Sequence, residues 1–128
     1  MMILCDTQAY IWAIHQDARL TEKAQEVLGK SAVEKYLSIG SVWEMTIKVS
    51  IGKLQLKAPI DAVIEKSLAT NAIRLLNINL FHLKTLQTLP FHHKDPFDRL
   101  IIAQALSEHL PIVSSDANFD RYSIERIW

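Results

Sequence analysis

The sequence has little of several features that mark specialised classes of protein. It has one cysteine, Cys5, so an internal disulfide is excluded. Its 14 basic and 14 acidic side chains cancel, so nucleic-acid binding would need a local patch or a metal ion rather than a global field. No apolar run approaches the ~20 residues of a membrane helix. The amino terminus reaches Asp6 without a basic segment, which is not the pattern of a signal peptide. We therefore expect a cytoplasmic protein without membrane contact.

The composition is that of one globular domain. Hydrophobic residues make up 49% and charged residues 22%, a balance that favours a packed core over disorder. A chain of 128 residues can bury such a core, so we expect residues 1–128 to form a single domain. Short apolar runs predict strands at 2–5, 36–39, 73–76, 111–116 and 123–128. Helical patterns lie between them, at 7–15, 21–29, 41–51, 59–71, 79–86 and 96–110. This alternation predicts an α/β fold with a mainly parallel sheet.

The clearest local signal is the stretch His-Lys-Asp-Pro-Phe-Asp-Arg-Leu, which opens the most apolar helix. Pro96 suits the first turn of a helix because it lacks an N–H that the helix would leave unpaired. Asp95 is then the predicted N-cap. A capping box carries Glu or Gln at the third helical position, and the shorter Asp98 stands there instead. The Asp98 carboxylate is therefore available to face a group outside its own helix.

Three more carboxylates fall at equivalent places. Asp6 and Asp116 follow apolar strands, and Glu44 lies in the first turn of the helix predicted after the second strand. The carboxyl ends of parallel strands meet at one edge of a sheet, where ligands bind at the switch in strand order. These three residues and Asp98 can therefore converge. Each also has a simpler explanation: Asp6 and Asp116 as helix caps, Glu44 as part of a Ser41 capping box, Asp98 as a partner of the helix dipole.

Such a cluster of carboxylates has a chemical consequence. Crowded carboxylates repel and raise one another's pKa, so ionised clusters usually hold a cation. Ligands that are all oxygen select hard metals, Mg²⁺ or Mn²⁺. A site of this kind polarises a phosphoryl group and generates a hydroxide for in-line attack, which is a route to phosphodiester hydrolysis.

Four segments, 4–7, 41–54, 93–105 and 114–122, together resemble the PIN domain, and more narrowly the VapC-like toxin ribonucleases of type II toxin–antitoxin systems. The resemblance covers the whole chain in order, and Asp-Pro-Phe-Asp-Arg is its most specific part. It implies a parallel sheet flanked by helices on both faces and a Mg²⁺- or Mn²⁺-dependent endoribonuclease that acts on RNA. It also implies inhibition by a small antitoxin, in a homodimer or a toxin–antitoxin hetero-oligomer.

The resemblance assigns the acidic site to four residues: Asp6, Glu44, Asp98 and Asp116. The three aspartates would bind metal directly or through water, and Glu44 would complete the site or orient the attacking water. Many members of the family carry a further acidic residue soon after the last Asp. Here the neutral Asn118 stands there and Asp120 lies farther on, so the resemblance does not decide between one metal ion and two.

Other side chains have predicted supporting roles. Thr7 and Ser115 would hydrogen-bond to neighbouring carboxylates, although capping is the commoner reason for such residues. The candidate contacts to RNA phosphates are Arg99, Lys48 and Lys53. A solvated helix face is the simpler interpretation of the two lysines.

The histidines and tryptophans also need an interpretation. Adjacent histidines point in different directions and no cysteines accompany them, so we expect His92 and His93 to lie in an exposed loop. Tryptophans can stack on bases, but core packing or a protein interface is the better prediction for Trp12, Trp43 and Trp128.

Two other classes of function compete. One is another acidic-site, Mg²⁺-dependent phosphohydrolase that forms a phospho-aspartate on Asp6. Against it, Gln8 stands where such enzymes usually have a second Asp, and no catalytic lysine is evident. The other is a non-catalytic module that binds a protein partner, and the presence of four carboxylates argues against that.

Overall fold

The computed structural model describes residues 1–70 and 72–128, and over these ranges the chain forms a five-stranded sheet and six α-helices. The strands are β1 (Met2–Cys5), β2 (Glu34–Ser38), β3 (Arg74–Leu76), β4 (Ile112–Val113) and β5 (Arg126–Ile127). The helices are α1 (Thr7–Ile14), α2 (Glu22–Gly29), α3 (Ile39–Ser50), α4 (Ile60–Ala69), α5 (Leu80–Gln87) and α6 (Pro96–Glu108). A 3₁₀ helix covers Ala117–Arg121. All strand pairs are parallel, which confirms the predicted α/β class.

Helices cover both faces of this sheet, as predicted. Strand side chains alternate between the faces. Ile3 and Cys5 pack in the core that α1, α2, α3 and α4 build, whereas Leu4 packs in a second core beneath α6. Because both faces are covered, β1 is a continuous apolar run rather than an alternating one.

The order of the strands reverses beside β1. The sheet runs β3-β2-β1-β4-β5, so the chain steps outward from β1 to β3 and then crosses back to place β4 on the other side of β1. The backbone N–H of Asp6 donates to the carbonyl of Val113 at 3.0 Å, which ties the carboxyl ends of β1 and β4 together. The crevice at this switch point is where open α/β sheets bind ligands.

Helix α6 begins as predicted. Asp95 is the N-cap, and its carboxylate accepts the N–H groups of Phe97 at 2.8 Å and Asp98 at 3.1 Å. Pro96 is the first helical residue. Asp98 therefore lies in the first turn, at the positive end of the helix dipole.

Helix α3 begins earlier than predicted. Strand β2 ends at Ser38, whose hydroxyl accepts the N–H of Gly40 at 3.0 Å and caps the helix. Ser41 lies inside the helix, so the predicted capping box of Ser41 and Glu44 is wrong. Gly40 directly follows the predicted strand 36–39 and would end it, but in the structure it lies inside α3. It lies where α3 approaches α6 so closely that a Cβ would stand 2.5 Å from Leu100 Cδ2.

The remaining boundaries differ by a few residues. Helix α4 ends at Ala69, and Asn71, where the pattern predicted its end, lies outside the described residues. None of the helices in residues 1–70 and 72–128 is both long enough and apolar enough to cross a membrane.

Candidate active site

Asp6 lies at the end of β1 and caps α1. Its Oδ1 accepts the N–H of Ala9 at 2.7 Å, so the capping explanation holds. Burial raises the pKa of Asp6 to about 6, and hydrogen bonds from Ser114 and Ala9 act in the opposite direction. The negative charges of Glu44 and Asp116 raise this pKa further, so both groups lie close enough to interact with it.

The pKa of Asp98, in the first turn of α6, is raised as well. Burial is the main cause that raises its pKa to about 7, followed by the charges of Asp95 and Glu44. His93 lowers this pKa, and Asp6 raises it. The four predicted carboxylates therefore share one edge of the sheet and act on one another.

Glu44 lies in the second turn of α3, where it cannot cap the helix. Its side chain is 11% exposed and forms an ion pair with Lys48 Nζ at 3.0 Å, one turn later. A carboxylate is costly to bury unless a charge partner or a cation compensates it. Because Glu44 does not cap the helix, the ion pair with Lys48 and the acidic cluster are the two explanations for this buried position.

Asp116 follows β4 after a short turn and caps the 3₁₀ helix. Its Oδ1 accepts the N–H of Asn118 at 2.9 Å, and its Oδ2 lies 2.8 Å from His93 Nε2. The side chain is 37% exposed, so solvent reaches this edge of the cluster.

His93 is the site residue that sequence reasoning missed. The prediction of an exposed loop is wrong for it, because its side chain is 8% exposed. Its Nδ1 lies 3.1 Å from the hydroxyl of Tyr122, and its ring packs edge-on against Phe119 at 4.8 Å between ring centroids. His93, Asp98 and Asp116 each offer one ligand atom, and these atoms lie within 4.8 Å of one another. Asp116 and Tyr122, to which His93 bonds, are distant from it in sequence, so no local pattern indicates these contacts.

The supporting hydroxyl is Ser114 rather than Ser115. Ser114 is fully buried, its Oγ accepts the N–H of Asp116 at 3.1 Å, and its hydroxyl bonds to Asp6. Ser115 is exposed. Thr7 does not bond to a carboxylate. It donates to Ser41 Oγ at 2.9 Å and so joins α1 to the helix that carries Glu44.

The residues after Asp116 do not extend the acidic cluster. Asn118 is exposed and contributes its backbone N–H to the cap. Asp120 forms an ion pair with Arg126, whose Nε donates to it at 2.9 Å and lowers its pKa. The charge of Asp120 is therefore already compensated.

Arg99 is a structural residue, which corrects its prediction as an RNA contact. It is buried, and its guanidinium donates to the carbonyl oxygens of Pro90 at 3.0 Å and Leu89 at 3.1 Å. The same group lies 3.8 Å from the ring centroid of Phe91. These contacts hold the loop that carries His93, and they engage both terminal nitrogens of the buried guanidinium.

Both predicted lysines border one cleft beside the carboxylates. Lys48 and Lys53 line a cavity of about 660 Å³ together with Trp12 and with Arg19, which is paired with Asp17. The ring of Trp12 packs against Trp128 at 5.7 Å, so these two tryptophans pack as predicted. Trp43 is 59% exposed and is not a core residue.

The donor set fits a hard divalent cation. Two of the four carboxyl groups have pKa values raised to about 6 and 7 by burial and by their neighbours, so the cluster carries poorly compensated negative charge. A bound cation would reverse this penalty. Carboxylate oxygens with at most one imidazole are ligands that suit Mg²⁺ or Mn²⁺.

Comparisons with known proteins agree with this architecture. A family-level comparison matches residues 3–125 to the PIN domain. Among solved structures, VapBC2 from Rickettsia felis, bound to a DNA fragment from its promoter, has 16% identity over 100% of both chains and a TM-score of 0.73. VapBC-1 from nontypeable Haemophilus influenzae has 20% identity over 98% of this chain and 96% of that chain, with a TM-score of 0.68. FitAcB from Neisseria gonorrhoeae has 17% identity over 98% and 96%, with a TM-score of 0.65. No curated protein sequence matches the chain.

Proposed function

The chain belongs to the PIN domain family, and we propose that it is a metal-dependent endoribonuclease that acts as the toxin of a toxin–antitoxin pair. The observation that carries this proposal is the meeting of four carboxylates at the switch point of the sheet, two of them with pKa values raised to about 6 and 7. Residues 1–128 would form a single catalytic domain, and the reaction would take place in the cytoplasm, where RNA is abundant.

In this proposal Asp6, Asp98 and Asp116 hold Mg²⁺ or Mn²⁺, directly or through water. Such an ion, when bound, polarises the phosphoryl group and lowers the pKa of water. Glu44 completes the site or orients the attacking water by accepting its hydrogen bond. The dipole of α6 favours the ionised form of Asp98, and Ser114 fixes the backbone beside Asp116.

The RNA backbone would follow the cleft that Lys48 and Lys53 border. The chain has no net charge, so attraction of a polyanion has to be local. Lys48 also pairs with Glu44, which links the cationic cleft directly to the acidic site. Both lysines would contact phosphates rather than bases, so they would contribute affinity without sequence preference.

The partner would be a small antitoxin. The Rickettsia felis and Haemophilus influenzae structures are of VapBC assemblies. An acidic cleft is complementary to a cationic side chain, typically Arg, that an inhibitor would insert. Induced expression of the chain should arrest growth, and co-expression of the small open reading frame beside its gene should relieve the arrest. Continued growth arrest would count against the proposal that a small antitoxin inhibits this protein.

The test of the chemistry is cleavage of an end-labelled RNA with Mg²⁺ or Mn²⁺. The wild type should cleave internally, EDTA should stop cleavage, and Asp98→Asn should lose at least about a hundredfold in rate. Asp61→Asn is the matched control, because Asp61 is also an acidic residue in the first turn of a helix but lies on α4. It should cleave like the wild type.

The same assay separates the competing functions. Hydrolysis of a phosphomonoester, with RNA left intact, would favour a phosphohydrolase that forms a phospho-aspartate on Asp6. Binding of a protein partner without either hydrolysis would favour the non-catalytic module.

A further inference from the structure

His93 connects the acidic site to Tyr122. Its Nε2 lies 2.8 Å from Asp116 Oδ2, and its Nδ1 lies 3.1 Å from the hydroxyl of Tyr122. We infer that His93, supported by Tyr122, is a positioning residue that holds the carboxylate of Asp116 in its metal-binding orientation. The inference rests on the proposed function for the metal itself, and it adds two residues that the acidic motif does not contain.

The direction of these hydrogen bonds follows from what each group can do. An ionised carboxylate only accepts, so Nε2 of His93 is the donor to Asp116. In a neutral ring Nδ1 is then an acceptor, and the hydroxyl of Tyr122 donates to it. In a charged ring Nδ1 donates as well, and the hydroxyl can turn to the carbonyl of Pro90 at 3.4 Å. The bond from Nε2 to Asp116 is the same in both cases.

The ring of His93 is fixed before any ligand arrives. Phe119 packs edge-on against it at 4.8 Å, and Tyr122 stacks on it at 5.6 Å with 30° between the planes. Arg99 holds the loop in front of it through the carbonyl of Pro90 at 3.0 Å. A rotamer locked by packing places its donor with little loss of entropy on binding.

Asp116 is the ligand that needs such support. It stands in a turn after β4 and is 37% exposed. The N–H of Asn118 fixes Oδ1, and His93 fixes Oδ2. Removing a group that orients a metal ligand commonly weakens metal binding by about 10- to 100-fold.

The geometry favours support over direct ligation by His93. A nitrogen that donates its proton to Asp116 has no lone pair for a metal, so ligation would require Nε2 to lose its proton and give up that bond. We therefore expect a bound cation to have only oxygen ligands from the protein, although the ring atom lies within 4.8 Å of those of Asp98 and Asp116.

Calorimetric titration of Mn²⁺ into the full chain tests this. His93→Leu, which cannot donate, should weaken Mn²⁺ binding by about tenfold or more. His93→Gln, whose amide can donate from a similar distance, should stay within about threefold of the wild type, and Tyr122→Phe should lie between them. If His93 had only a structural role, His93→Gln and His93→Leu would weaken Mn²⁺ binding alike. Equal affinity of His93→Leu and the wild type would overturn the inference.

Pulsed electron paramagnetic resonance of bound Mn²⁺ supplies a second readout, with histidine labelled with ¹⁵N. The expected spectrum has no coupling from a directly bound nitrogen, and such a coupling would overturn the positioning role. If His93→Leu does not fold, as judged by circular dichroism, Tyr122→Phe and the spectrum decide.

The titration also separates failure of the inference from failure of the proposed function. A wild type that binds no Mn²⁺ would refute both. A wild type that binds Mn²⁺, with a leucine variant that binds it equally, would refute the inference alone.

Discussion

Replacing Asp6 by asparagine should stabilise the metal-free protein at alkaline pH, although Asp6 is central to the site. The pKa of Asp6 rises from its ordinary 3.8 to about 6 in the fold, mainly through burial. The two pKa values differ by about 2, and a pKa difference of 1 corresponds to about 1.4 kcal/mol. Ionisation of Asp6 therefore lowers the free energy of unfolding by up to about 3 kcal/mol. Asparagine carries no charge. Its carbonyl can still accept the N–H of Ala9 that caps α1.

The pH dependence of this effect follows from linkage. Below about pH 3 Asp6 is protonated in both the folded and the unfolded chain, so wild type and variant should unfold alike. As the pH rises, the unfolded chain ionises first, and the free energy of unfolding of the wild type falls until the folded carboxyl ionises near pH 6. Above about pH 7 the full difference of up to about 3 kcal/mol should be present.

Urea unfolding in EDTA at about pH 3 and about pH 8 measures this difference. Addition of Mn²⁺ at the higher pH should offset much of this difference, because binding stabilises the wild type by about 2.7 kcal/mol at a hundredfold excess over the dissociation constant, and the variant by less. An Asp6→Asn variant that is less stable than the wild type at about pH 8 in EDTA would refute the reasoning. So would a difference that does not change between the two pH values.

Three further changes probe the packing and the cleft. Gly40→Ala should lower the free energy of unfolding in urea by about 1–3 kcal/mol, because its Cβ would stand 2.5 Å from Leu100 Cδ2; unchanged stability would mean that the buried Leu100 side chain can move aside without cost. Arg99→Met should lower it by about 2 kcal/mol and expose residues 89–93 to hydrogen exchange, since buried carbonyl groups lose their donors. Lys53→Gln should weaken RNA binding and reduce its salt slope by about 0.7, measured by fluorescence anisotropy; a change that depends on RNA sequence would contradict a phosphate contact.

Local chemistry made much of the fold predictable. The start of α6 depends on Asp95 and Pro96, whose capping geometry is contained within three residues, and the structure confirms it. The apolar run of β1 is buried on both faces, and the predicted strand matches it residue for residue. The carboxylates of Asp6 and Asp116 are found at the edge of the sheet because parallel strands present their carboxyl ends together.

The features that escaped prediction depend on contacts between distant parts of the chain. Gly40 resembles a strand terminator in sequence, but it is required where α3 touches Leu100 of α6. His93 resembles a loop residue, yet its two hydrogen-bond partners lie 23 and 29 residues away. The burial of Arg99 depends on carbonyl groups of the preceding loop, whose path no periodic pattern indicates.

The central claim is that Asp6, Glu44, Asp98 and Asp116 form one site for a divalent cation. Calorimetric titration of Mn²⁺ into the wild type, Asp98→Asn and Asp61→Asn tests it most directly. The account predicts saturable binding to the wild type and to Asp61→Asn, and binding at least about tenfold weaker to Asp98→Asn. Equal affinity of Asp98→Asn and the wild type, or no binding to the wild type, would contradict it.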